Sequence, residues 1–407
     1  MTLSKGLHWG LLLAVTLAST NVLAENESSS PVTNRWGAAE TLRIDTEEVI
    51  VQAAVTGRAY HHHCHTAALD GLFFAIFSSG EMNEDDVGQQ VMFTRSDDDG
   101  VTWSAPRCIV TPPMGEFAPY AATATGLYAY HDPATGKGRL IAYYGLYEYT
   151  AEGLAGGVRK TTDASHQNTR CMLIYSDDKG ATWSEPRLVA ENVVANLGPQ
   201  RTATGRLVMP ANVVYLYTDD PTGLAGWVRT ALPGVPEGHA DDSAGFARLY
   251  REDPEKFGYC EGSLFQTDDG IIHMMLRTNR PHLAVTESTD NGATWSPARM
   301  TEFTDNASRH QFGKLPDGRY FALSTPEPNT LWSRTPLVIA VSRDGVEFDR
   351  HFIIGDAPNR APRFAGHAKG GRYGYPHLSI MGDTVVVFYS IAKEDVAMCR
   401  FLLSELQ

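Results

Sequence analysis

The sequence is short of basic residues, of cysteines and of long apolar runs. Its 407 residues contain 34 Lys and Arg against 48 Asp and Glu, which gives a formal net charge of −14. Without a basic surface to meet phosphates, the chain is not expected to bind nucleic acid or an anionic membrane. A small anionic ligand is not excluded, because a local group of Arg side chains is enough to bind it.

Apolar residues are concentrated in one short stretch near the start. Lys5 precedes the apolar run Leu11–Leu17 and a small-residue ending at Ala24, which predicts a signal peptide over residues 1–24. No later stretch reaches the roughly 20 apolar residues that a membrane-spanning helix needs. We therefore expect a secreted or periplasmic protein without membrane insertion, in which residues 25–407 form a single domain.

The cysteines are few and widely spaced: Cys64, Cys108, Cys171, Cys260 and Cys399. In an exported chain a disulfide framework would need more of them at closer spacing. Because their number is odd, at least one thiol is expected to be free, metal-bound or paired with another chain.

What the sequence does have is an internal repeat. The pattern Ser-x-Asp-x-Gly-x-Thr-Trp, an Asp box, occurs at 96–103, 176–183 and 288–295, and a shortened copy at 342–348 carries Phe348 in place of Trp. Asp can hydrogen-bond the turn backbone, Gly takes the left-handed conformation, and Trp anchors the returning strand. Four-stranded units repeated at this spacing are typical of propeller blades, so we predict an all-β fold consisting of a single β-propeller.

Two ways of counting the blades disagree. The third and fourth boxes are 54 residues apart, and dividing the length after residue 24 by that spacing gives seven blades. Six innermost strands are directly countable, beginning near Cys64, Ala121, Leu197, Glu261, Arg309 and Tyr375. The count of six or seven stays open at this point, and a strand around Thr41–Ile44 is expected to complete the last blade and close the ring.

The rim opposite the Asp boxes is the expected site face. It collects the starts of the innermost strands and the loops after the second strands, and these segments are rich in His, Tyr and Arg. Such residues suit the binding of an acidic sugar and proton transfer. Because side chains alternate along a strand, the His-rich stretch 60–65 is expected to present either His61, His63 and His65 together, or His62 and Cys64.

Metal binding is a further interpretation of these residues, since imidazole and thiolate are ligands of zinc. The stretch 60–65 is one candidate, and Cys260, His282 and His310 on neighbouring blades form another. We predict at most a structural zinc or calcium ion, with the second group as tentative ligands, and no organic cofactor.

The Asp boxes resemble those of sialidases over most of the chain. That resemblance implies a Glu and Tyr pair and several Arg residues, and Glu261, Arg277, Arg372 and Tyr375 fit this part of the pattern. The start of the pattern, an Arg in an F-R-I-P-like segment, does not fit. The segment 42–44 matches it poorly, and the His-rich stretch stands in its place.

A closer resemblance is to the short ulvan lyases and the related rhamnosyl-glucuronate hydrolases and lyases. It is carried by Tyr60–His65, Phe77–Gly80, Asn83–Val91 and His166–Arg170. The resemblance implies seven blades and β-elimination on a uronate, in which an Arg neutralises the carboxylate so that the C5 proton becomes acidic enough to remove. It implies three catalytic residues, His166, Tyr215 and Arg229. The predicted substrate contacts are His63, His65, Tyr147, Arg170, Tyr250, Arg277 and Tyr375.

Three functions stay open at this point. The first is a secreted polysaccharide lyase that cleaves a uronate-containing, ulvan-like polymer. The second is an exo-glycoside hydrolase of a sialyl or rhamnosyl linkage, and the third is a non-catalytic propeller that binds glycans. Their products differ, because a lyase forms an unsaturated uronate that absorbs ultraviolet light, a hydrolase forms only new reducing ends, and a binding protein forms neither.

Overall fold

The computed structural model describes residues 30–151, 154–155, 158–159, 166–235 and 258–407. The predicted signal peptide lies outside this part of the chain. The first described segment forms three short strands, β1 (Ser30–Thr33), β2 (Glu40–Arg43) and β3 (Val49–Gln52). No helix among the described residues is long and apolar enough to cross a membrane.

The first three blades are antiparallel sheets of four strands each. Blade 1 consists of β4 (Tyr60–Leu69), β5 (Leu72–Gly80), β6 (Gln90–Ser96) and β7 (Arg107–Val110). Blade 2 consists of β8 (Ala121–His131), β9 (Gly138–Tyr149), β12 (His166–Ser176) and β13 (Arg187–Glu191), with the small hairpin β10 (Leu154–Ala155) and β11 (Val158–Arg159) inserted between its second and third strands. Blade 3 consists of β14 (Gln200–Arg201), β15 (Leu207–Pro210), β16 (Val214–Thr218) and β17 (Val228–Ala231).

The last three blades each include one N-terminal strand. Blade 4 consists of β18 (Tyr259–Gln266), β19 (Ile272–Thr278), β20 (His282–Ser288) and β21 (Arg299–Thr304), joined by β1. Blade 5 consists of β22 (Gln311–Lys314), β23 (Tyr320–Ser324), β24 (Leu337–Ser342) and β25 (Arg350–Gly355), joined by β2. Blade 6 consists of β26 (Gly374–Met381), β27 (Thr384–Ile391), β28 (Asp395–Leu402) and β3. Two 3-10 helices span Pro328–Thr330 and Leu403–Glu405.

The described residues therefore form six blades, in agreement with the six innermost strands counted from the sequence. The preference for seven blades was wrong. Dividing the chain length by the spacing of one blade overcounted, because some segments build no blade of their own. β1 and β2 add in parallel to the outer edges of blades 4 and 5, and a hairpin extends blade 2.

An N-terminal strand does complete the last blade, but it is not the strand expected. β3 pairs antiparallel with β28, whereas β2, which contains most of the segment 41–44, pairs with β25. The inner strand β26 packs against β4 of blade 1, so the ring is closed.

Each Asp box is a hydrogen-bonded turn between the third and fourth strands of its blade. In the first box, Asp98 accepts hydrogen bonds from the backbone N and the hydroxyl of Thr102, at 2.8 and 2.6 Å, and Ser96 accepts one from the N of Gly100. The other two full boxes repeat these contacts. The turns thus share one geometry because they share one hydrogen-bonding pattern.

The aromatic residue that ends each box packs against a ring of the preceding blade. Trp103 contacts Phe388, Trp183 contacts Phe93 and Trp295 contacts Tyr215, with ring centroids 4.6, 5.4 and 5.7 Å apart. The three Trp residues therefore occupy equivalent places, and each joins two adjacent blades. The eroded box does the same with Phe348, which lies 5.9 Å from Phe265 of blade 4.

The core lies between the blades. Middle strands such as β19 and β27 are buried along their whole length because a sheet covers each of their faces. None of the five cysteines forms a disulfide in the described structure, and four of them are buried, whereas Cys108 is exposed.

Candidate functional site

A pocket of about 520 Å³ opens at one end of the propeller axis. The starts of three innermost strands line it with His63, Glu261 and Tyr375. Loops after second strands add Asp85, from the β5–β6 connection, and Arg334, from the β23–β24 connection. These are the two kinds of segment that the sequence places on the site face, and the Asp boxes turn at the opposite end of the strands.

The three innermost strands reach the pocket through irregular backbone. The pairing register shifts between His62 and His65, between Cys260 and Ser263, and between Gly374 and His377. At each bulge one residue takes the left-handed conformation, with φ of 56° at His63, 53° at Glu261 and 51° at Tyr375. A bulge re-aims a side chain that regular alternation would turn toward a neighbouring blade.

Small residues make room for two of these bulges. A Cβ on Gly262 would lie 2.9 Å from Cβ of Pro210, and one on Gly374 would lie 2.6 Å from Oγ of Ser390. Both distances are too short for a side chain. The bulges at Glu261 and Tyr375 therefore depend on glycine beside them.

Tyr375, Glu261 and Arg277 form a buried cluster in the pocket wall. The Tyr375 hydroxyl donates a short hydrogen bond to Oε1 of Glu261. Nη1 of Arg277 donates to Oε2 of Glu261 at 2.6 Å and to the Tyr375 hydroxyl at 3.2 Å. The three groups thus form a closed hydrogen-bonded triangle in which the carboxylate accepts from both partners.

The electrostatics of the cluster follow from burial and the Arg277 charge. Burial raises the pKa of Glu261, but the positive charge of Arg277 and the hydrogen bonds from Tyr375 and Arg277 outweigh it, so the pKa is lowered. Burial, with the adjacent negative charge of Glu261, raises the pKa of Tyr375 well above its usual value. In the resting protein, Glu261 is the carboxylate and Tyr375 holds the proton.

A second arginine, Arg334, adds a positive charge beside Tyr375. Its Cζ lies 5.4 Å from the Tyr375 ring centroid, and its side chain is buried. Within the described part of the chain, its Nη1 has no hydrogen-bond partner, as is also true of Nε of Arg277. Buried guanidinium N–H groups without partners are donors that an anionic ligand can satisfy.

Arg309 supports the pocket from below without lining it. It is fully buried on the axis and donates to the backbone oxygens of Asn196, Cys64 and Tyr375 at 2.7, 2.6 and 2.9 Å. These bonds connect Arg309, which precedes blade 5, to blade 1, to blade 6 and to the segment between blades 2 and 3. Arg309 therefore has a structural role and holds the backbone of Tyr375 in place.

The β5–β6 loop adds two acidic residues, Glu84 and Asp85, to the pocket lining. Asp85 has a left-handed backbone, and its Oδ1 accepts from Thr123 at 2.7 Å and from Gln89 at 3.3 Å. Glu84 accepts from Nζ of Lys393 at 2.6 Å. Burial raises the pKa of Glu84, but the charges of Lys393 and His63 outweigh it and the pKa is lowered.

The pocket lining is more positive than the chain as a whole. Its charged residues are the cations Arg277, Arg334, Lys369 and Lys393 and the carboxylates Glu84, Asp85 and Glu261. The lining thus has a small positive excess, in a protein whose net charge is −14. Trp332, 56% exposed, adds an aromatic face at the rim, 5.4 Å from Cζ of Arg277.

Several residues expected from the sequence do meet in this pocket. His63, Tyr147, Arg277 and Tyr375 line it, and so do Glu261 and Cys260. Arg372, the remaining residue of the sialidase-like pattern, is elsewhere. It binds Glu48 at 2.8 Å in a separate cluster with Tyr389.

Two of the three predicted catalytic residues do not line the pocket. Tyr215 is buried, donates to the backbone oxygen of Ala293 at 3.0 Å and receives the ring of Trp295, so it takes the packing place that Phe93 and Phe388 hold in other blades. Arg229 lies on the outer strand β17 and donates to the backbone oxygen of Asn192. Blade and loop position alone could not distinguish these packing and edge positions from the pocket.

The other predicted contacts are divided. His65 is buried behind the pocket, where Nη1 of Arg309 lies 2.9 Å from its Nε2. Arg170 lies in β12, 4.0 Å from Glu191 and away from the pocket lining. The side chain of His166 and all of Tyr250 lie outside the described residues.

The side chains of Cys260, His282 and His310, the tentative metal ligands, do not come together as one group among the described residues. Among the described residues, the one group of three His, Cys, Asp or Glu side chains with ligand atoms within 4.8 Å of one another is His62, His63 and Glu84. His310 instead contacts the backbone oxygen of Met275 at 3.1 Å. The expectation that alternate histidines lie together was wrong, because the bulge at His63 brings the consecutive residues His62 and His63 together.

Sequence reasoning missed Arg334, Lys369, Lys393 and Trp332. Arg334 and Trp332 have left-handed backbone, with φ of 53° and 71°, in a connection without a repeat or motif. Lys369 and Lys393 lie in loops that carry no Asp box. Only their placement after the second strands, or just before an innermost strand, could have indicated them.

The six blades of the described residues, their four Asp boxes and the charged pocket define an Asp-box β-propeller. The structure resembles Hadza microbial sialidase Hz136 with a TM-score of 0.61 at 14% identity, over 88% of this chain and 69% of that one. It resembles the leech intramolecular trans-sialidase with a TM-score of 0.61 at 14% identity, over 89% and 71%. It also resembles the intramolecular trans-sialidase of Ruminococcus gnavus, with a TM-score of 0.60 at 15% identity, over 89% of this chain and 98% of that one.

At these identities the likeness shows the fold alone. A comparison with curated protein sequences gives no match. The model of the BNR repeat-like domain matches residues 154–387, which is more than half of the chain. The protein belongs to the BNR repeat-like domain family.

Proposed function

We propose that this protein is a glycan-processing enzyme that hydrolyses or transfers an acidic sugar with Tyr375 as the nucleophile. One observation carries the proposal: the Tyr375 hydroxyl donates to the Glu261 carboxylate inside a pocket lined by arginines. A nucleophile hydrogen-bonded to a base that a third group orients is the usual arrangement of nucleophilic catalysis. Sialidases, the relatives in fold, are the glycosidases that use a tyrosine in this role.

The reaction begins at the anomeric carbon. Glu261 takes the phenolic proton as the Tyr375 oxygen forms a bond to that carbon, and the bond to the leaving oxygen breaks. We assign the proton that the leaving oxygen needs to Asp85, which lines the same pocket. Water, deprotonated by Asp85, then releases the sugar, and the proton on Glu261 returns to Tyr375. A sugar hydroxyl in place of water gives transfer.

The arginines support an acidic substrate. Arg334 Nη1 and Arg277 Nε are buried donors without partners among the described residues, and a carboxylate would satisfy them. A phenol is a neutral nucleophile at rest, so it meets such a substrate without the repulsion that a second carboxylate would cause. The small positive excess of the lining acts in the same direction.

A direct test is release of the dye from an aryl glycoside of sialic acid. Tyr375→Phe and Glu261→Gln should each lower kcat/KM by about a hundredfold or more. Tyr389→Phe is the matched control, because Tyr389 also donates to a Glu, at 2.8 Å, in a Tyr–Glu–Arg cluster outside the pocket. Full activity of Tyr375→Phe would refute the nucleophile assignment.

A lyase acting on a uronate-containing polymer is the second candidate. It is favoured by the presence of His63 and Tyr147, residue types that serve as base and acid, in the same pocket as Arg277 and Arg334. Incubation with acidic polysaccharides, followed by ultraviolet absorbance and by reducing-end assay, separates the candidates. Absorbance that grows with cleavage supports the lyase, reducing ends without absorbance support the hydrolase, and binding with neither product supports a non-catalytic glycan-binding propeller.

A further inference from the structure

His62, His63 and Glu84 surround a small space at the edge of the pocket. The distance from Oε1 of Glu84 to Nε2 is 3.9 Å for His62 and 3.6 Å for His63. All three ligand atoms lie within 4.8 Å of one another. A tetrahedral zinc ion with bonds of about 2.0–2.2 Å separates its ligand atoms by roughly 3.3 Å, so small side-chain movements would close the site.

Both imidazoles are already oriented by a serine on the side away from Glu84. Nδ1 of His62 lies 2.6 Å from Oγ of Ser390, and Nδ1 of His63 lies 3.0 Å from Oγ of Ser78. When Nδ1 carries the proton and donates to the serine, Nε2 presents its lone pair toward Glu84. Such outer hydrogen bonds are characteristic of histidines that bind metals, because they fix the tautomer and the ring.

The inner imidazole has an unused nitrogen. His62 is fully buried, and its Nε2 has no hydrogen-bond partner in the described ranges of the chain. A buried polar atom without a partner is unfavourable unless a ligand or water satisfies it. His63 lines the pocket, so the fourth coordination position of an ion held here would face the pocket interior.

The two oxygens of the Glu84 carboxylate have different partners. Lys393 binds Oε2 of Glu84, and the Tyr60 hydroxyl lies 3.4 Å from Oε1. Oε1 is the oxygen that faces the imidazoles. One nitrogen from each imidazole and one carboxylate oxygen form an N₂O donor set, which suits zinc and other late first-row divalent ions.

We propose that His62, His63 and Glu84 bind one divalent transition-metal ion, zinc-like in its preference, with one coordination position open to the pocket. This inference concerns binding alone and does not depend on the proposed glycosidase chemistry. Two of its three ligands come from the stretch 60–65, which is one of the two candidate groups in the sequence.

The test begins with the full chain, from which metal has been removed by dialysis against a chelator. Zn²⁺ is then titrated into it, and binding is measured by calorimetry. We expect one equivalent to bind, with Kd weakened by more than about a hundredfold in Glu84→Gln and His62→Gln, which each lose a ligand. Co²⁺ loaded in place of zinc should give the visible absorption bands of a tetrahedral site. Ser390→Ala, a milder change that leaves all three ligands, should weaken binding by about 10–100-fold.

His61→Gln is the matched control. His61 is a buried neighbour on the same strand, both of its ring nitrogens lack partners among the described residues, and it is not part of the group. Its substitution should leave Kd unchanged, with folding of every variant checked by thermal melting. Two results would overturn the proposal: no binding by the folded wild type, or binding that persists unchanged in the folded His62→Gln and Glu84→Gln variants. Either result can occur whether or not the Tyr375 variants lose activity.

Discussion

Nη1 of Arg277 lies 2.6 Å from Oε2 of Glu261, and both side chains are about nine-tenths buried. The pair places a full positive and a full negative charge where water cannot screen them. Removal of one partner leaves the other charge uncompensated, which in buried pairs costs about 3–5 kcal/mol. The same pair orients the carboxylate toward Tyr375.

Arg277→Ala should therefore lose both stability and activity. We expect the free energy of unfolding to fall by about 3 kcal/mol or more and glycosidase activity to fall at least a hundredfold. Arg277→Lys should recover part of the stability, since it restores the charge but not the planar fork. Chemical denaturation and aryl-glycoside assays measure the two effects. Arg206→Ala, which breaks an ion pair with the exposed Asp219, should change stability by no more than about 1 kcal/mol.

Tyr215→Phe should keep full activity. The change removes one hydrogen bond, to the backbone oxygen of Ala293, and should lower stability by about 1 kcal/mol. Tyr215→Ala should lower it by about 3–5 kcal/mol, because the ring fills the space against Trp295. Arg229→Ala should likewise retain activity. A hundredfold loss of kcat in Tyr215→Phe with an unchanged melting temperature would return Tyr215 to the list of catalytic residues.

The two tryptophans Trp183 and Trp332 should respond in opposite ways to substitution by alanine. Trp183 joins two blades through Phe93, so Trp183→Ala should destabilise the fold by about 3–5 kcal/mol. Trp332 is 56% exposed at the pocket rim, so Trp332→Ala should raise KM with little change in melting temperature. Thermal melts and steady-state kinetics separate the two. A large melting-temperature loss in Trp332→Ala would contradict its assignment as a rim residue.

Stability should depend on pH through Asp305. Burial raises the pKa of Asp305 to about 7, although the charges of Arg277 and Arg334 act against it. Below about pH 4 Asp305 is protonated in both the folded and the unfolded protein, so ionisation of this residue takes nothing from the free energy of unfolding there. As the pH rises toward 7 the unfolded chain ionises while the folded protein keeps the proton, so stability falls, by about 4 kcal/mol at most.

Asp305→Asn should flatten that decline, which denaturation measured at pH 4.5 and pH 7.5 would detect. Asp98 gives a control of opposite sign. Hydrogen bonds from Thr102 lower the pKa of Asp98 to about 2, so its contribution is present above about pH 4 and is lost as the pH falls. An unchanged pH dependence in Asp305→Asn would show that the buried carboxyl does not set the slope.

The repeat made the fold predictable from the sequence. Much of the site was not predictable, because its residues lie where the backbone is irregular. The Asp boxes carry their own hydrogen-bonding pattern, so blade order, the positions of the tryptophans and the face opposite the boxes could be read from spacing. The positions of Tyr375 and Glu261 were indicated by resemblance. The pairing of His62 with His63 was not predictable, because alternation along a strand fails at a bulge and nothing local in the sequence marks one at His63. Arg334 was missed for a related reason, since it lies in an irregular connection with no repeat.

The pairing of β3 with β28 has a consequence for how the protein is made. Val49 and Met398 face each other across the ladder, so the edge of the last blade is covered by residues synthesised before any blade. Such a distant contact requires closure of almost the entire chain, and contacts of this kind form slowly. During synthesis, β3 cannot pair with β28 until the last strands emerge. A circular permutant that moves residues 30–56 to the C-terminus would make this contact local, and it should refold faster than the natural order while reaching the same native state.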